Sequence, residues 1–478
     1  MSIKKNFLYS SILTLSQYMI GLIIFPYISR VLGVSNTGTV SFVDNTINYF
    51  VLFSTLGITT IGVREIARYR NNQEKLNLVF SSLLSMFLIS TILVLVFYII
   101  AVLYVPKLHI YKELFYIGTA KLIFTVFLIE WFYRGSENFK YITIRNIAIK
   151  ILYACAIFIF VKGKEDYVIY FLLTTGVVAI NAIINILYAR HFVKFSFTGI
   201  TLKPYFKQSI FLGSRSILTS MYTTFNVMYL GFVSDTRQVG YYWAALSLYA
   251  IVLGFFSAFT GVMMPRMSSL LSQGNENEFK KMIDKSFNII STICFPLIIG
   301  SIVLAPQLIN ILAGSEYTGA IIPMQIIMLL VLVVGVAQIL AVQVLMPLHK
   351  DKLIFTASII GASVGVILNL LLVKKYGSIG TAIVLFVSET SVTFYFIYAV
   401  SKNKIINFPW SKFAQNFIYS APYFFICYGT TLLLNRSVPI LISAGLISCI
   451  YFFLLNIYIL ENKELKNLLN IVINSISK

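Results

Sequence analysis

The sequence predicts an all-α polytopic membrane protein of about fourteen transmembrane helices: two six-helix lobes around a central cavity, plus two extra C-terminal helices. Three observations carry this reading. Of 478 residues, 58% are hydrophobic and 11% charged, against about 25% charged in a typical globular chain, and the mean hydropathy is +0.86. Apolar runs long enough to cross a roughly 30 Å hydrocarbon core recur fourteen times. No ten-residue segment alternates as a barrel strand must, and every backbone amide in lipid must find a partner, so the runs are helices.

In order, the spans are expected at 6–29, 39–61, 77–105, 112–135, 141–161, 167–190 and 207–233. The second seven are 239–264, 284–312, 321–346, 352–374, 377–400, 413–434 and 437–460. No spacer between them is long enough to fold alone. The apolar run after Lys4 and Lys5 is too long for a signal-peptide core and lacks a small-residue cleavage site, so the first span is expected to be retained. Pro26, Pro296, Pro306, Pro323 and Pro422 fall within spans and are candidate hinges. The cysteines (155, 294, 427 and 449) lie in apolar runs without a CxxC pair and read as small core residues.

A weak repeat divides the chain. Span 1 ends in SRVLGVSNTG (29–38) and span 7 in YLGFVSDTRQVGYY (229–242). Both carry Leu-Gly, then Ser-Asn/Asp-Thr, then a Gly that opens the next span. VKGKEDYVIYFL (161–172) is echoed by VKKYGSIGTAIVL (373–385). Spans 1–6 and 7–12 thus form two copies of one orientation, an arrangement that suits alternating-access carriers. The expected divisions are 1–195, 196–404, and 405–478 for the last two helices with a cytoplasmic tail.

The net charge of +20 reports topology, not a nucleic-acid partner, because the bases sit in short spacers and not on one face. On the amino-terminal side lie 24 Lys and Arg, among them Arg64, Arg68, Arg134, Arg190, Lys194, Lys463, Lys466 and Lys478; the other side holds nine. Both termini are therefore expected in the cytoplasm.

Seven ionisable residues fall inside spans: Asp44, Lys121, Glu130, Arg145, Lys150, Arg215 and Glu389. Each is expensive in lipid, by at least about 2.5 kcal/mol at the bilayer centre for Arg, Lys or Asp, so each should face protein or water. At 1.5 Å per residue, Lys121, Lys150 and Arg215 lie roughly 12–14 Å from a helix end, near the midplane. Three such cations against one carboxylate at that depth, Glu389, suit an anionic substrate: Lys offers a point charge and Arg a fork for phosphate or carboxylate oxygens. Internal pairing is the competing account, for example Glu130 with Arg134 one turn on.

Other motifs carry no chemistry. GASVG (361–365) resembles a nucleophile elbow but sits in a span, where it is a small-residue packing face. There is no P-loop, and His109, His191 and His349 lack ligand spacing, so no metal or cofactor is expected. Glu165 and Asp166 share a spacer with no room for a substrate platform.

Four segments resemble the bacterial polysaccharide and O-antigen flippases of the multidrug/oligosaccharidyl-lipid/polysaccharide exporter superfamily. They are 26–43 with 54–72; EWFYRGSENFKYITIRNIAIKILYACAIFIFVKGKEDYVIY (130–170); 230–249 leading to VMMPRMSSL (262–270); and ILAGSEYTGAIIPMQII (311–327). The resemblance implies a non-enzymatic two-lobed carrier in the cytoplasmic membrane. It would move an undecaprenyl-diphosphate-linked oligosaccharide to the outer leaflet and serve a polysaccharide polymerase and chain-length proteins. It also implies a cationic cavity, to which Arg215, Lys150, Lys121 and Arg145 are assigned together with Arg30, which with Asp44 occupies the place where related flippases use an Arg and an Asp. Asp44, Glu130 and Glu389 are the acids for ion coupling or charge pairing. Trp131, Gly135 and Pro265 are expected to be structural.

Three rivals stay open: an efflux antiporter of the same superfamily, a membrane polymerase or glycosyltransferase, and a receptor or scaffold. An efflux pump would favour cavity acids. A polymerase needs a sizeable external loop or acids in the first external loop, and Arg30 to Gly38 has neither.

Overall fold

The computed structural model describes residues 3–196 and 198–456. Lys463, Lys466 and Lys478, together with residues 457–460 of the last expected span, lie outside the described residues. Every regular element among the described residues is helical, and each of the fourteen expected spans coincides with helical segments. Among the described residues, ten helical stretches are by themselves long and apolar enough to cross a membrane, and two of these hold two spans each. Span 7 is broken into Lys203–Ser220 and Thr224–Val233, and span 13 is the less apolar helix Trp410–Leu433.

The breaks have local causes. The helix Ile3–Thr55 carries spans 1 and 2 and turns at Gly33, where φ is 74° and ψ 173°, a backbone conformation open to glycine but costly for residues with a Cβ. Spans 11 and 12 turn likewise at Gly377 (φ 53°). Span 2 breaks at Leu56-Gly57 before Ile58–Tyr69 begins. Span 4 breaks at Ile129, whose φ of 35° separates Lys112–Thr125 and a short 3₁₀ turn from Glu130–Gly135. Of the proline hinge candidates, Pro26, Pro296 and Pro422 lie inside helices, Pro323 within Ile321–Met328, and Pro306 in the first turn of Ala305–Leu312.

Spans 1 and 2 pack along span 8, Thr236–Ser272, and this seam joins the lobes. The sequence echo lies on it. Val34 to Gly38 of one copy meets Thr236 to Gly240 of the other so closely that a Cβ on Gly38 would fall 2.8 Å from the Gly240 nitrogen. Ser35 and Thr236 hydroxyls pair at 2.9 Å. Each copy also ties its first hairpin to its third: Asn36 donates to the Lys164 carbonyl at 2.7 Å, and Ser378 donates to Gln238 at 3.0 Å from its backbone amide and 2.7 Å from its hydroxyl. Spans 13 and 14 stand outside the two copies, span 13 packed on span 9 and span 14 on Ala305–Leu312.

Candidate functional site

The lobes meet at both ends of the seam. At the end holding the 1–2, 5–6 and 9–10 turns, Glu316 accepts from Lys164 at 2.7 Å and from the Val34 amide at 3.4 Å, and Tyr317 pairs with Thr37 at 2.8 Å. At the other end Ser209 of span 7 donates to the Leu56 carbonyl, and Arg64 donates to Gln208. Backbones come close here too: a Cβ on Gly57 would lie 2.6 Å from the Gly213 nitrogen.

Where span 1 faces spans 5, 6 and 8 lies a cavity of about 360 Å³. Span 1 lines it with Gln17, Tyr18 and Phe25, span 5 with Lys150 and Tyr153, span 6 with Tyr170, and span 8 with Trp243, Ser247 and Ile251. Lys150 is the cationic residue in this lining, and it has no ion pair or side-chain hydrogen bond among the described residues. Tyr153 stands one turn from Lys150 on the same helix face, and its hydroxyl pairs with Thr174 at 3.0 Å. Trp243 packs against Phe25 with ring centroids 5.3 Å apart. The arrangement is one ammonium in an aromatic cleft: a point charge for an anion beside flat apolar faces that also carry hydrogen-bonding edges.

Ile251 also borders a second, almost wholly apolar groove of about 440 Å³. Its walls come from spans 1, 8, 9 and 10 and from both extra helices, with Leu22, Leu304, Met328, Tyr423 and Leu441 among them. The cation-bearing cavity and the apolar groove therefore adjoin at span 8.

The other charges expected in the cavity are placed differently. Lys121 donates to Asp44 at 2.5 Å, joining span 4 to span 2, with the side chains 12% and 25% exposed. Arg145 is buried, pairs with Glu130 at 2.8 Å, and donates to Asn146 at 2.9 Å and to Asn185. Glu130 also holds Arg134 at 3.5 Å, the pairing expected one turn on. Arg30 is exposed and donates to the Ile311 carbonyl, so it is not bonded to Asp44. Counting acids against bases over the whole set treats Lys121 and Arg145 as free; pairing is local, and the N-terminal lobe supplies each with its own carboxylate.

Arg215 and Glu389, on spans 7 and 12, have no ion pair with each other or with any other described residue. Both are in interaction range of Tyr222, the residue at the break in span 7. Glu389 is also in range of Tyr249, which in turn neighbours Tyr18 of the cavity. Sequence reasoning missed Gln17, Tyr18, Tyr153, Tyr170 and Trp243; the i, i+3 spacing of Lys150 and Tyr153 is the signal that would have found one of them.

Among known proteins, the chain is 26% identical over 417 residues to the "Putative O-antigen transporter" of Escherichia coli (strain K12), an alignment covering 85% of this chain and 98% of that one. It is 25% identical over 222 residues to the "Probable low-salt glycan biosynthesis flippase Agl15" of Haloferax volcanii, covering 44% of this chain and 46% of that one. The fold is that of the lipid II flippase MurJ in an inward closed conformation, with a TM-score of 0.77 at 17% identity over 94% of this chain and 98% of MurJ. An outward-facing multidrug resistance MATE family transporter matches less closely, with a TM-score of 0.58 at 14% identity over 84% of this chain and 96% of that one. The model of the family described as "Polysaccharide biosynthesis protein" matches residues 3–271, more than half of the sequence, and the chain belongs to that family as a multi-pass membrane transporter of the flippase type, not an enzyme.

Proposed function

We propose that this protein moves an undecaprenyl-diphosphate-linked oligosaccharide, an O-antigen or capsular or exopolysaccharide repeat unit, from the inner to the outer leaflet of the cytoplasmic membrane. Both termini lie in the cytoplasm, and the lobes 1–195 and 196–404 exchange the face to which the cavity opens. One observation carries the reading: Lys150, without an ion pair among the described residues, sits in an aromatic cleft that adjoins an apolar groove at Ile251. A diphosphate cannot enter hydrocarbon unaided, because each unsatisfied polar group costs several kcal/mol. Lys150 replaces part of its lost solvation, the aromatic walls take the faces of the sugars, and the groove takes the prenyl chain. Arg215 waits on the other lobe as a second cation.

Asp44 and Glu130 are occupied by Lys121 and Arg145, which leaves Glu389 as the acid for ion coupling. Without an ATP-binding motif, net direction comes from an ion gradient, the membrane potential at about 2.3 kcal/mol per charge per 100 mV, or consumption of the product by a polymerase and its chain-length partner. Glu389 is also the feature that favours the second reading, an organic-cation antiporter; Lys150 in the lobe-to-lobe cavity opposes it. Vesicles holding the purified protein and a fluorescent undecaprenyl-diphosphate oligosaccharide distinguish the two. The proposal expects protein-dependent exposure of the label to an impermeant quencher. Exposure at the protein-free rate, with export of ethidium instead, supports the antiporter.

A further inference from the structure

A third cavity, of about 610 Å³, lies in the N-terminal lobe and shares no lining residue with the other two. Its floor and walls are Phe80, Leu84 and Leu88 of span 3, Phe127 of span 4 and Ile186 of span 6, and its roof is the segment that leads from one lobe to the next, through Val193, Phe195, Ile200 and Leu202. That segment is stitched to span 3 by side chains. Gln73 donates to the Phe192 carbonyl at 2.7 Å, Asn77 accepts from the Lys194 amide at 2.9 Å, and Ser81 and Ser82 accept from the amides of Ser196 and Thr201 at 3.0 and 3.1 Å.

Water does not account for this space. At roughly 30 Å³ each, about twenty waters would fill it, and each needs two to four polar partners. Among the described residues, Ser85 and Arg190 are the only side chains in the lining that bear a polar group. Arg190 follows the last residue of the helix Tyr167–Ala189 and has no ion pair or hydrogen bond through its side chain among the described residues. Exposed His191, Lys194 and Lys203 lie nearby in the chain. An apolar chamber whose mouth carries an uncommitted guanidinium fits an amphiphile with a single-tailed reach and an anionic head.

We infer that this chamber binds one acyl chain of an anionic glycerophospholipid from the bilayer, with Arg190 on the lipid phosphate and the lobe-connecting segment as its lid. The bound lipid fills the space beneath that segment and holds it against span 3, so the site stands apart from the transport cavity and does not depend on the transported substrate.

Native mass spectrometry of the purified full-length protein tests this, using phosphatidylglycerol, phosphatidylcholine and undecaprenyl phosphate as competing probes. The expected result is one phosphatidylglycerol retained in preference to phosphatidylcholine. Arg190→Ala weakens that retention about tenfold, the worth of a hydrogen bond to a charged group, while Arg190→Lys keeps most of it. Leu88→Trp, which fills the chamber, abolishes retention of both phospholipids, and the thermal midpoint recorded for each variant confirms that it is folded. Equal retention of the two phospholipids overturns the inference, as does phosphatidylglycerol binding unchanged in folded Arg190→Ala. Arg190-dependent retention of undecaprenyl phosphate in place of phosphatidylglycerol also overturns it, by assigning the site to prenyl lipids.

Discussion

The Lys121 ammonium donates to Asp44 at 2.5 Å across spans 4 and 2, inside a single lobe. This pair removes from the count of cavity charges a lysine that its depth alone marks as a ligand, and it leaves Lys150 as a cation of the cavity wall with no ion pair among the described residues. The expected signature is one of stability. Asp44→Ala strands the ammonium and lowers stability by about 2 kcal/mol, less than the ~3–5 kcal/mol of a fully buried pair because both side chains are partly exposed. Asp44→Ala with Lys121→Met recovers most of the loss. Thermal melting in detergent reads this directly; melting points that fall additively would show that the two charges do not depend on each other.

Arg145 is tied to three partners at once, Glu130, Asn146 and Asn185. Lysine offers a point charge without the planar fork that reaches several acceptors. Arg145→Lys is therefore expected to lose folded protein nearly as badly as Arg145→Ala, by about 3 kcal/mol for the broken buried pair and the lost bonds to Asn146 and Asn185, with Glu130 keeping only the more exposed Arg134 as an ion-pair partner. Membrane protein level and melting temperature check it, and full recovery in Arg145→Lys would mean that charge alone matters here.

At the Glu316 end of the seam, the Ser35 and Thr236 hydroxyls lie 2.9 Å apart across the lobes. Ser35→Cys with Thr236→Cys, in a background lacking the four native cysteines, should form a disulfide on mild oxidation. Locked this way, the cavity cannot open past that seam, so transport stops and returns on reduction. Transport that continues in the fully cross-linked protein would exclude opening between these two hairpins.

The other end depends on two glycines. Gly57 holds φ at 76°, and a Cβ on Gly213 would sit 2.7 Å from the Leu56 carbonyl carbon. Gly57→Ala and Gly213→Ala should each prop spans 2 and 7 apart, by about 1 kcal/mol or more of strain and lost contact. A cysteine placed at Gln208 should then react several-fold faster with a water-soluble maleimide than in the parent. Unchanged labelling would show that this contact does not close the mouth.

Much of this molecule was legible in its sequence, for a physical reason: lipid forces each apolar run of sufficient length to be a helix, so the runs marked by hydropathy coincide with helical segments among the described residues. The echoed turns 29–38 and 229–242 lie against each other, a contact that the repeat alone did not foretell. The charged sites were less legible. Depth along a helix says how buried Lys121 and Arg145 are, but not which neighbouring helix turns a carboxylate toward them. The aromatic walls escaped because Tyr18, Tyr170 and Trp243 look like ordinary interfacial residues until the lobes are brought together. The break at Ile129 was also hidden, since it carries neither the glycine nor the proline that usually marks such a point, whereas the break at Leu56 does have Gly57 beside it.

The role of Lys150 as a ligand for an anionic headgroup is tested most directly by restoration of surface polysaccharide in a cell lacking its flippase, with membrane protein level measured alongside. Lys150→Ala is expected to lower polysaccharide at least about tenfold at normal protein level, since a hydrogen bond to a charged group is worth roughly 1.5–3 kcal/mol. Lys150→Arg, which keeps the charge, should retain a substantial part, and Arg215→Ala should fall further than Arg215→Lys. Normal polysaccharide from both Lys150→Ala and Arg215→Ala, at normal protein level, would contradict the cationic-cavity mechanism.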